Sequence, residues 1–334
     1  MKAVVVSELG KVENLSVVDL PDPSPGPGEV LVAVVASGVN YPDLLVVEGR
    51  YQNRPPLPFI PGKEAAGLVL AVGPGVSSCQ IGDRVLAFVE YGAFCQKLLA
   101  PANSCFVVPD EMDLVEAAAF GLAYQTAYFA LVERAAMKAG ETVLVTGAAG
   151  GVGLACVQLA KALGGRVIAG VSSPGKAELA KSSGADAVID LSQDNLRDFM
   201  RDDVRKLTNG KGADVVCEIV GGDVFDSAIR AVAWSGRLVV LGFAGGRIPT
   251  MSVNYVLIKN IAVMGMNWSD YRDEHPQKMR HAQEELFNLY KEGKLRTEIS
   301  ESYPLDRAAE ALGMLRDRRA KGKIVLKLPF LPTH

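Results

Sequence analysis

Histidine is scarce in this chain: three residues in 334, at positions 275, 281 and 334, all near the C-terminal end. The five cysteines (Cys79, Cys95, Cys105, Cys156, Cys217) are scattered, and none forms a C-x-x-C pair. Zinc takes its ligands from thiolates, imidazoles and carboxylates, so a zinc site of usual composition is difficult to assemble here. No basic stripe or arginine-rich block is present. The net charge is −3 and the pI about 5.8, which gives no electrostatic footprint for nucleic acid. No apolar run approaches membrane-spanning length. The first residues, Met1-Lys2-Ala3-Val4-Val5-Val6, read as a short strand, because no long apolar stretch and cleavage site follow. The expected compartment is therefore the cytoplasm, where scattered cysteines serve as small buried apolar residues. Repeats and low-complexity segments are also lacking.

What is abundant is apolar residues, at 49% of the chain, enough for substantial cores. The length suggests two domains. Residues 1–124 carry short β runs punctuated by proline and glycine: a strand at 30–35, a rigid connector at 21–28, a stiff loop at Pro55-Pro56-Leu57-Pro58, and turns at Gly73-Pro74-Gly75 and Gly82-Asp83. From about 122 to 264 helical segments alternate with apolar strands, expected at 142–146, 167–171, 187–190, 215–219, 238–242 and 261–265. That alternation predicts a doubly wound parallel α/β sheet. Helices at 279–292 and 307–318 and a strand at 323–328 complete the chain. The expected division is 125–265 for the α/β domain and 1–124 plus 266–334 for the β-rich one. A cleft between domains is the default place for chemistry.

The most informative segment is Val143-Leu144-Val145-Thr146-Gly147-Ala148-Ala149-Gly150-Gly151-Val152-Gly153. An apolar strand runs into a glycine turn, and 154–163 follows as a helix with an apolar stripe. Glycines let a pyrophosphate approach the main chain, and a helix N-terminus offers free N–H groups and a positive dipole end. The spacing is not the strict G-x-G-x-x-G, but the strand before, helix after and second strand downstream are the context the motif requires. A dinucleotide is implied. An NAD site places Asp or Glu at the end of the second strand. Here Ser172, Ser173 and Lys176 stand there, with no carboxylate to repel a 2′-phosphate, so NADPH is expected over NADH. The plainer reading of Ser173-Pro174 is a helix cap followed by a first-turn proline.

Several segments resemble the medium-chain dehydrogenase/reductase superfamily, in its zinc-free quinone oxidoreductase branch. Residues Ala36-Ser37-Gly38-Val39-Asn40-Tyr41-Pro42-Asp43 and Pro61-Gly62-Lys63-Glu64-Ala65-Ala66-Gly67 are similar to the two segments that bring catalytic zinc ligands in alcohol dehydrogenases. Gly82-Asp83-Arg84-Val85, Leu241-Gly242-Phe243-Ala244-Gly245-Gly246 and Leu257-Ile258-Lys259-Asn260 extend the resemblance over nearly the whole chain. Asn40 stands where the zinc enzymes have cysteine and Lys63 where they have histidine. The cysteine-rich structural-zinc lobe after Ala87 is missing. An amide and an ammonium do not replace a thiolate and an imidazole, so no metal is expected.

The resemblance implies a Rossmann domain with a GroES-like catalytic domain, a homodimer, and hydride transfer from NADPH to a small electrophilic acceptor, a quinone or activated enone. An enoyl-thioester or 2-alkenal reductase would use the same chemistry. A non-catalytic NADPH-binding or RNA-binding protein is the reading outside enzymology, with the acidic charge against RNA. The implied site assigns Gly150, Gly151, Val152 and Gly153 to the pyrophosphate, and Gly170, Ser172, Ser173 and Lys176 to the 2′-phosphate. Relatives with a tyrosine after the third strand differ here, where Asp190-Leu191 stands. Phe243, Met266 and Trp268 are expected beside the nicotinamide, as is Thr126, placed in the first turn of a helix. On the substrate side, Asn40 is a hydrogen-bond donor to a carbonyl or ribose, and Tyr51 stabilises oxygen charge or acts as an aromatic lid. Asp43 orients neighbouring backbone, and Lys63 is solvated or glutamate-paired. The apolar run at 260–266 reads as an edge strand that invites a second copy.

Overall fold

The computed structural model describes residues 1–329, and contacts divide the chain into two units. The first comprises Met1–Leu122, Tyr271–Phe287 and the chain from Thr297 onward. It opens with the antiparallel pair β1 (Lys2–Val5) and β2 (Ser16–Asp19). The valine-rich β3 (Glu29–Val39) leads into the short helix α1 (Tyr41–Val47), followed by β4 (Glu64–Val72), β5 (Arg84–Phe88), β6 (Lys97–Pro101) and β7 (Cys105–Val107). β3 is almost wholly buried because three strands pair with it, β4, β6 and the late strand at Lys323–Lys327; β-branched side chains suit such a position. Register shifts between β3 and β4 at Leu31/Val32 and Val34/Ala36 mark bulges that bend the sheet. Gly38, at the end of β3, is obligatory: a Cβ there would lie 2.3 Å from both the Ala118 carbonyl and Glu64 Oε1.

Helix α2 (Leu114–Tyr128) follows, capped by Asp113, whose Oδ1 accepts from the Val115 N–H at 2.8 Å. It continues through a π-helical stretch, Phe129–Arg134. The combined helix is long and apolar enough to cross a membrane by length and composition, contrary to the sequence expectation that no such run exists. Burial of 83% of its most apolar window marks a core helix. The early start of α2 also corrects the placement of Thr126, which lies deep in the helix and is buried, not in a first turn. The alanine-rich stretch 117–119 ahead of it favours helix and extends the element.

The second unit, Ala123–Asp270 with Asn288–Arg296, is a six-stranded, all-parallel sheet. In chain order it runs β8 (Thr142–Thr146), α3 (Gly151–Ala162), β9 (Arg166–Val171), α4 (Pro174–Ser182), β10 (Ala187–Asp190), α5 (Leu196–Leu207), β11 (Ala213–Glu218), α6 (Gly222–Ala231), β12 (Val232–Val240), α7 (Asn254–Lys259) and β13 (Ala262–Gly265). The spatial order is β10-β9-β8-β11-β12-β13, the Rossmann arrangement, with the order reversing between β8 and β11. The core under the sheet gathers Leu144, Ile168, Val216 and Leu238 from four adjacent strands, with Met200 and Phe225 from α5 and α6.

The remaining elements are α8 (Trp268–Glu274), α9 (Pro276–Lys291), β14 (Ile299–Pro304), α10 (Ala308–Arg316) and β15 (Lys323–Lys327). The observed division departs from the expected one. Residues 266–270 and 288–296 group with the Rossmann unit rather than with the β-rich unit. A hydrogen-bond knot explains the second piece: the Arg296 carbonyl accepts from Tyr124 Oη (2.7 Å) and Gln158 Nε2 (2.9 Å), while its N–H donates to Gln158 Oε1 (2.9 Å).

Candidate active site

The carboxyl ends of β8 and β11 flank the point where the strand order reverses, the place where open α/β sheets bind ligands. β8 ends at Thr146, the chain turns through Gly147 at φ +63°, and α3 begins at Gly151 with Gly150 as its cap. Gly150 brings no side chain to the cap, so the first-turn N–H groups of Gly151, Val152 and Gly153 have no intrahelical acceptor. The glycines divide their labour. A Cβ on Gly153 would meet the Gly147 carbonyl oxygen at 2.2 Å and Ala148 Cα at 2.7 Å, so Gly153 allows helix and turn to touch. A Cβ on Gly150 would meet only the Gly147 carbonyl at 3.6 Å, so the space in front of the cap is open. A bare helix mouth behind an open, glycine-lined turn fits a diphosphate.

Glu218, at the end of β11, is a residue the sequence reading missed. Its buried carboxylate accepts from the N–H groups of Val220 (3.0 Å) and Gly221 (2.9 Å) and from Thr146 Oγ1 (3.1 Å). Burial pushes this carboxyl upward, and the donated N–H bonds partly offset it. The brace holds residues 219–221 against the loop after β12, where Ala244 N–H donates to Ile219 (3.1 Å) and Gly245 N–H to Val220 (2.6 Å). Phe243 thereby packs beside Gly221, whose Cβ would lie 3.1 Å from the ring. A carboxylate directly ending an apolar strand and followed by Ile-Val-Gly-Gly was the available signal.

At the end of β9, Ser172 and Ser173 are exposed and Lys176 lies half-buried in the first turns of α4. Ser173 occupies the cap position but makes no side-chain cap bond, and Pro174 opens the helix. Gly170 sits inside β9, where its carbonyl accepts from Ala148 N–H at 3.1 Å and a Cβ would crowd Leu191 at 3.1 Å. It holds the neighbouring turn and strand end together. Trp268 opens α8, and its buried Nε1–H donates to Gln125 Oε1 at 3.0 Å. The bond ties Trp268 to the neighbour of Thr126. Met266 N–H donates to the Val240 carbonyl at 3.2 Å, extending the β12–β13 pairing.

The β-rich unit holds a second polar constellation, almost entirely buried. Asn40 caps α1 in a reciprocal arrangement with Asp43, whose Oδ2 accepts from the Asn40 N–H at 2.8 Å. Glu64 has both oxygens occupied: Oε1 accepts from Asn40 Nδ2 and Lys323 Nζ (each 2.9 Å), and Oε2 from the Leu122 N–H (2.7 Å). Lys323 Nζ also donates to Asn40 Oδ1 at 2.6 Å. Lys323 was missed because it is 259 residues from Glu64. Lys63 is 1% exposed, so the solvated alternative fails and the glutamate-paired one holds. Its Nζ donates to the Glu90 carbonyl (2.9 Å) and Oε1 (2.8 Å) and lies 4.8 Å from the Tyr51 ring centroid, within cation–π range. Arg272 pairs with the other Glu90 oxygen at 2.8 Å. Burial pushes the Asp43 carboxyl up to about 7, against the pull of Lys63, and its Oδ1 is buried without a hydrogen-bond partner.

Zinc does not fit this constellation. Lys63 Nζ has no lone pair while charged, the Asn40 oxygen is held by Lys323, and Glu64 is saturated by three donors. Among the described residues no three His, Cys, Asp or Glu side chains cluster to hold a metal ion. His334 lies outside the described residues.

Comparison with known proteins gives the lineage. Residues 26–141 match the alcohol dehydrogenase GroES-like domain family and residues 151–284 the zinc-binding dehydrogenase family. The chain is 38% identical over 331 residues to a quinone oxidoreductase-like protein 2 homolog of Nematostella vectensis, covering 97% of this chain and 88% of that one. The chain is a medium-chain dehydrogenase/reductase of the quinone oxidoreductase-like group. A quinone oxidoreductase of Pseudomonas syringae superposes with a TM-score of 0.90 at 34% identity, covering 98% of this chain and 99% of that one. The Escherichia coli quinone oxidoreductase complexed with NADPH gives 0.90 at 29%, covering 98% and 100%. This lineage and the glycine cradle make the chain an oxidoreductase-family protein that binds a nicotinamide nucleotide.

Proposed function

We propose that the protein is an NADPH-dependent, zinc-independent reductase that delivers hydride to quinones or activated enones. The observation that carries the proposal is the saturation of the would-be ligand set by ammonium groups: Lys323 on Glu64 and Asn40, and Lys63 on Glu90. With no Lewis acid to polarise it, the acceptor must already be electrophilic, as quinones and conjugated carbonyls are. NADPH, when bound, supplies the hydride. Gly150, Gly151, Val152 and Gly153 receive the pyrophosphate on main-chain N–H groups, while Ser172, Ser173 and Lys176 receive the 2′-phosphate. Phe243, Met266, Thr126 and Trp268 line the nicotinamide end. Tyr51 donates its hydroxyl toward oxygen charge developing on the acceptor, with Lys63 against its ring favouring that charge. Asn40, held by Glu64 and Lys323, is fixed in orientation as a hydrogen-bonding group on the acceptor side.

The same reading includes a homodimer. β13 is the terminal strand of its sheet, and Val253, Leu257 and Ile258 just before it are 72%, 79% and 70% exposed. An apolar edge of this kind favours pairing with a second copy. Sedimentation at micromolar concentration decides it, a monomer overturning this part. The reaction itself is tested by NADPH oxidation against a panel of quinones, enals, enoyl thioesters and simple aldehydes. Turnover with quinones or enals is expected. Turnover confined to enoyl thioesters would reassign the acceptor, and turnover with none would leave a nucleotide-binding protein without catalysis.

A further inference from the structure

Three consecutive main-chain amides in the Rossmann unit end on side chains rather than on another strand. After β11 the N–H of Ile219 donates to Thr146 Oγ1 (3.0 Å), and those of Val220 and Gly221 donate to Glu218 Oε1 (3.0 and 2.9 Å). Gly221 N–H also reaches Oε2 at 3.0 Å. Thr146 Oγ1 in turn donates to Glu218 Oε1 at 3.1 Å, and both residues are 0% exposed. Thr146 is the last residue of β8, directly before the glycine turn, and Glu218 is the last of β11. One hydroxyl and one carboxylate therefore join the two strand ends that flank the reversal of strand order. The approach is close: a Cβ on Gly147 would lie 3.1 Å from Val220 Cγ2.

Held in this way, residues 218–222 set the course of the loop after β12. Leu241 N–H donates to the Glu218 carbonyl (2.8 Å), Ala244 N–H to Ile219 (3.1 Å) and Gly245 N–H to Val220 (2.6 Å), while Gly222 N–H donates to the Arg247 carbonyl (3.0 Å). One step along the first segment, from 218 to 219, is matched by three along the second, from 241 to 244. Gly242 and Phe243 are thereby looped out of the pairing, as in a bulge. Gly221, at φ +75° and ψ −162°, takes a backbone conformation that suits glycine, and a Cβ there would meet the Arg247 carbonyl oxygen at 2.9 Å. We propose that Glu218 is a positioning residue for the nicotinamide: joined to Thr146, its carboxylate fixes the 242–243 excursion before the nucleotide arrives, so that Phe243 stands ready beside the ring. The inference rests on the reading that places Phe243 at the nicotinamide end. A loop already ordered loses less freedom on binding than one the ligand must order. The N–H groups proposed for the diphosphate belong to α3 and receive nothing from Glu218, so the brace contributes affinity for the nicotinamide half alone.

The test compares NADPH with 2′-phospho-ADP-ribose, which keeps the diphosphate and the 2′-phosphate but lacks the nicotinamide, by titration calorimetry on the full-length protein. Glu218→Gln nearly keeps the side-chain volume but sets an N–H₂ group against the Gly221 N–H, donor against donor. It is expected to weaken NADPH binding by about tenfold or more and fragment binding by less than about twofold. Thr146→Val, which removes the bridging hydroxyl, is expected to give the same split. Unchanged affinities, or equal weakening of both ligands, overturn the proposal. A wild-type protein that binds neither ligand, or the fragment only, overturns the nicotinamide reading itself. Hydrogen exchange of the unliganded wild type is the second measurement. The amides of 219–221 and 244–245 are expected to exchange much more slowly than those of 242 and 243. Equal exchange across both groups overturns the brace even if neither variant folds.

Discussion

Gly150 and Gly153 stand three residues apart in one turn, yet alanine at each should have opposite consequences. At Gly153 the added Cβ meets main-chain atoms, the Gly147 oxygen at 2.2 Å and Ala148 Cα at 2.7 Å, neither of which can rotate away. Overpacking costs about 1–3 kcal/mol, and backbone contacts this short belong at the upper end. The helix propensity gained on Gly→Ala offsets only about 0.5–1 kcal/mol. The net loss should lower the melting temperature of the apo-protein by roughly 3–8 °C. At Gly150 the Cβ has a 3.6 Å neighbour and nothing closer, and the backbone, at φ −86° and ψ 170°, accepts alanine without strain. Stability should change by less than about 1 kcal/mol, the difference between glycine and alanine at a cap. On the proposed reading, however, the methyl group stands where the diphosphate approaches. NADPH affinity should fall at least about tenfold, or about 1.4 kcal/mol. Calorimetry of the apo-proteins and a fluorescence titration with NADPH measure the two effects separately. A Gly150→Ala protein that binds NADPH like wild type would refute the cradle. A Gly153→Ala protein as stable as wild type would refute the packing argument.

Three further outcomes follow from the polar groups. The Asp43 carboxyl has an ordinary value of 3.8 but stands near 7 when folded, so between those values the folded chain holds the extra proton. The stability from this group is therefore complete at low pH and is lost as pH rises through about 7. Asp43→Asn should gain melting temperature relative to wild type between about pH 5 and about pH 8, and an unchanged difference would show that Asp43 is ionised throughout. Tyr51→Phe should reduce kcat for a quinone by about tenfold or more with little change in melting temperature. Equal kcat would leave Tyr51 as an aromatic contact only. Lys176→Ala should raise the KM for NADPH by about tenfold while leaving that for NADH unchanged, and parallel changes for both nucleotides would remove Lys176 from the 2′-phosphate site.

The Rossmann sheet was legible because each strand is an apolar run followed by a glycine or polar break. The reading of 142–146 and 187–190 coincides with β8 and β10. Helix α2 was less legible. Its residues are apolar on every side because it is buried on nearly all sides, so no amphipathic stripe marks where it starts. Asn40, Lys63 and Glu64 could be singled out individually. What holds them could not, since Lys323, Glu90 and Arg272 come from distant parts of the chain and carry no local pattern.

On the proposed reading, a nicotinamide nucleotide on a bare helix mouth delivers hydride to an acceptor with lysine ammonium groups, not a metal, at the ligand positions. The most direct measurement of this is steady-state NADPH oxidation with a quinone after exhaustive dialysis against a strong chelator, repeated with zinc added back. The same rate is expected before dialysis, after dialysis and after zinc addition. A rate that vanishes with the chelator and returns with zinc would contradict it.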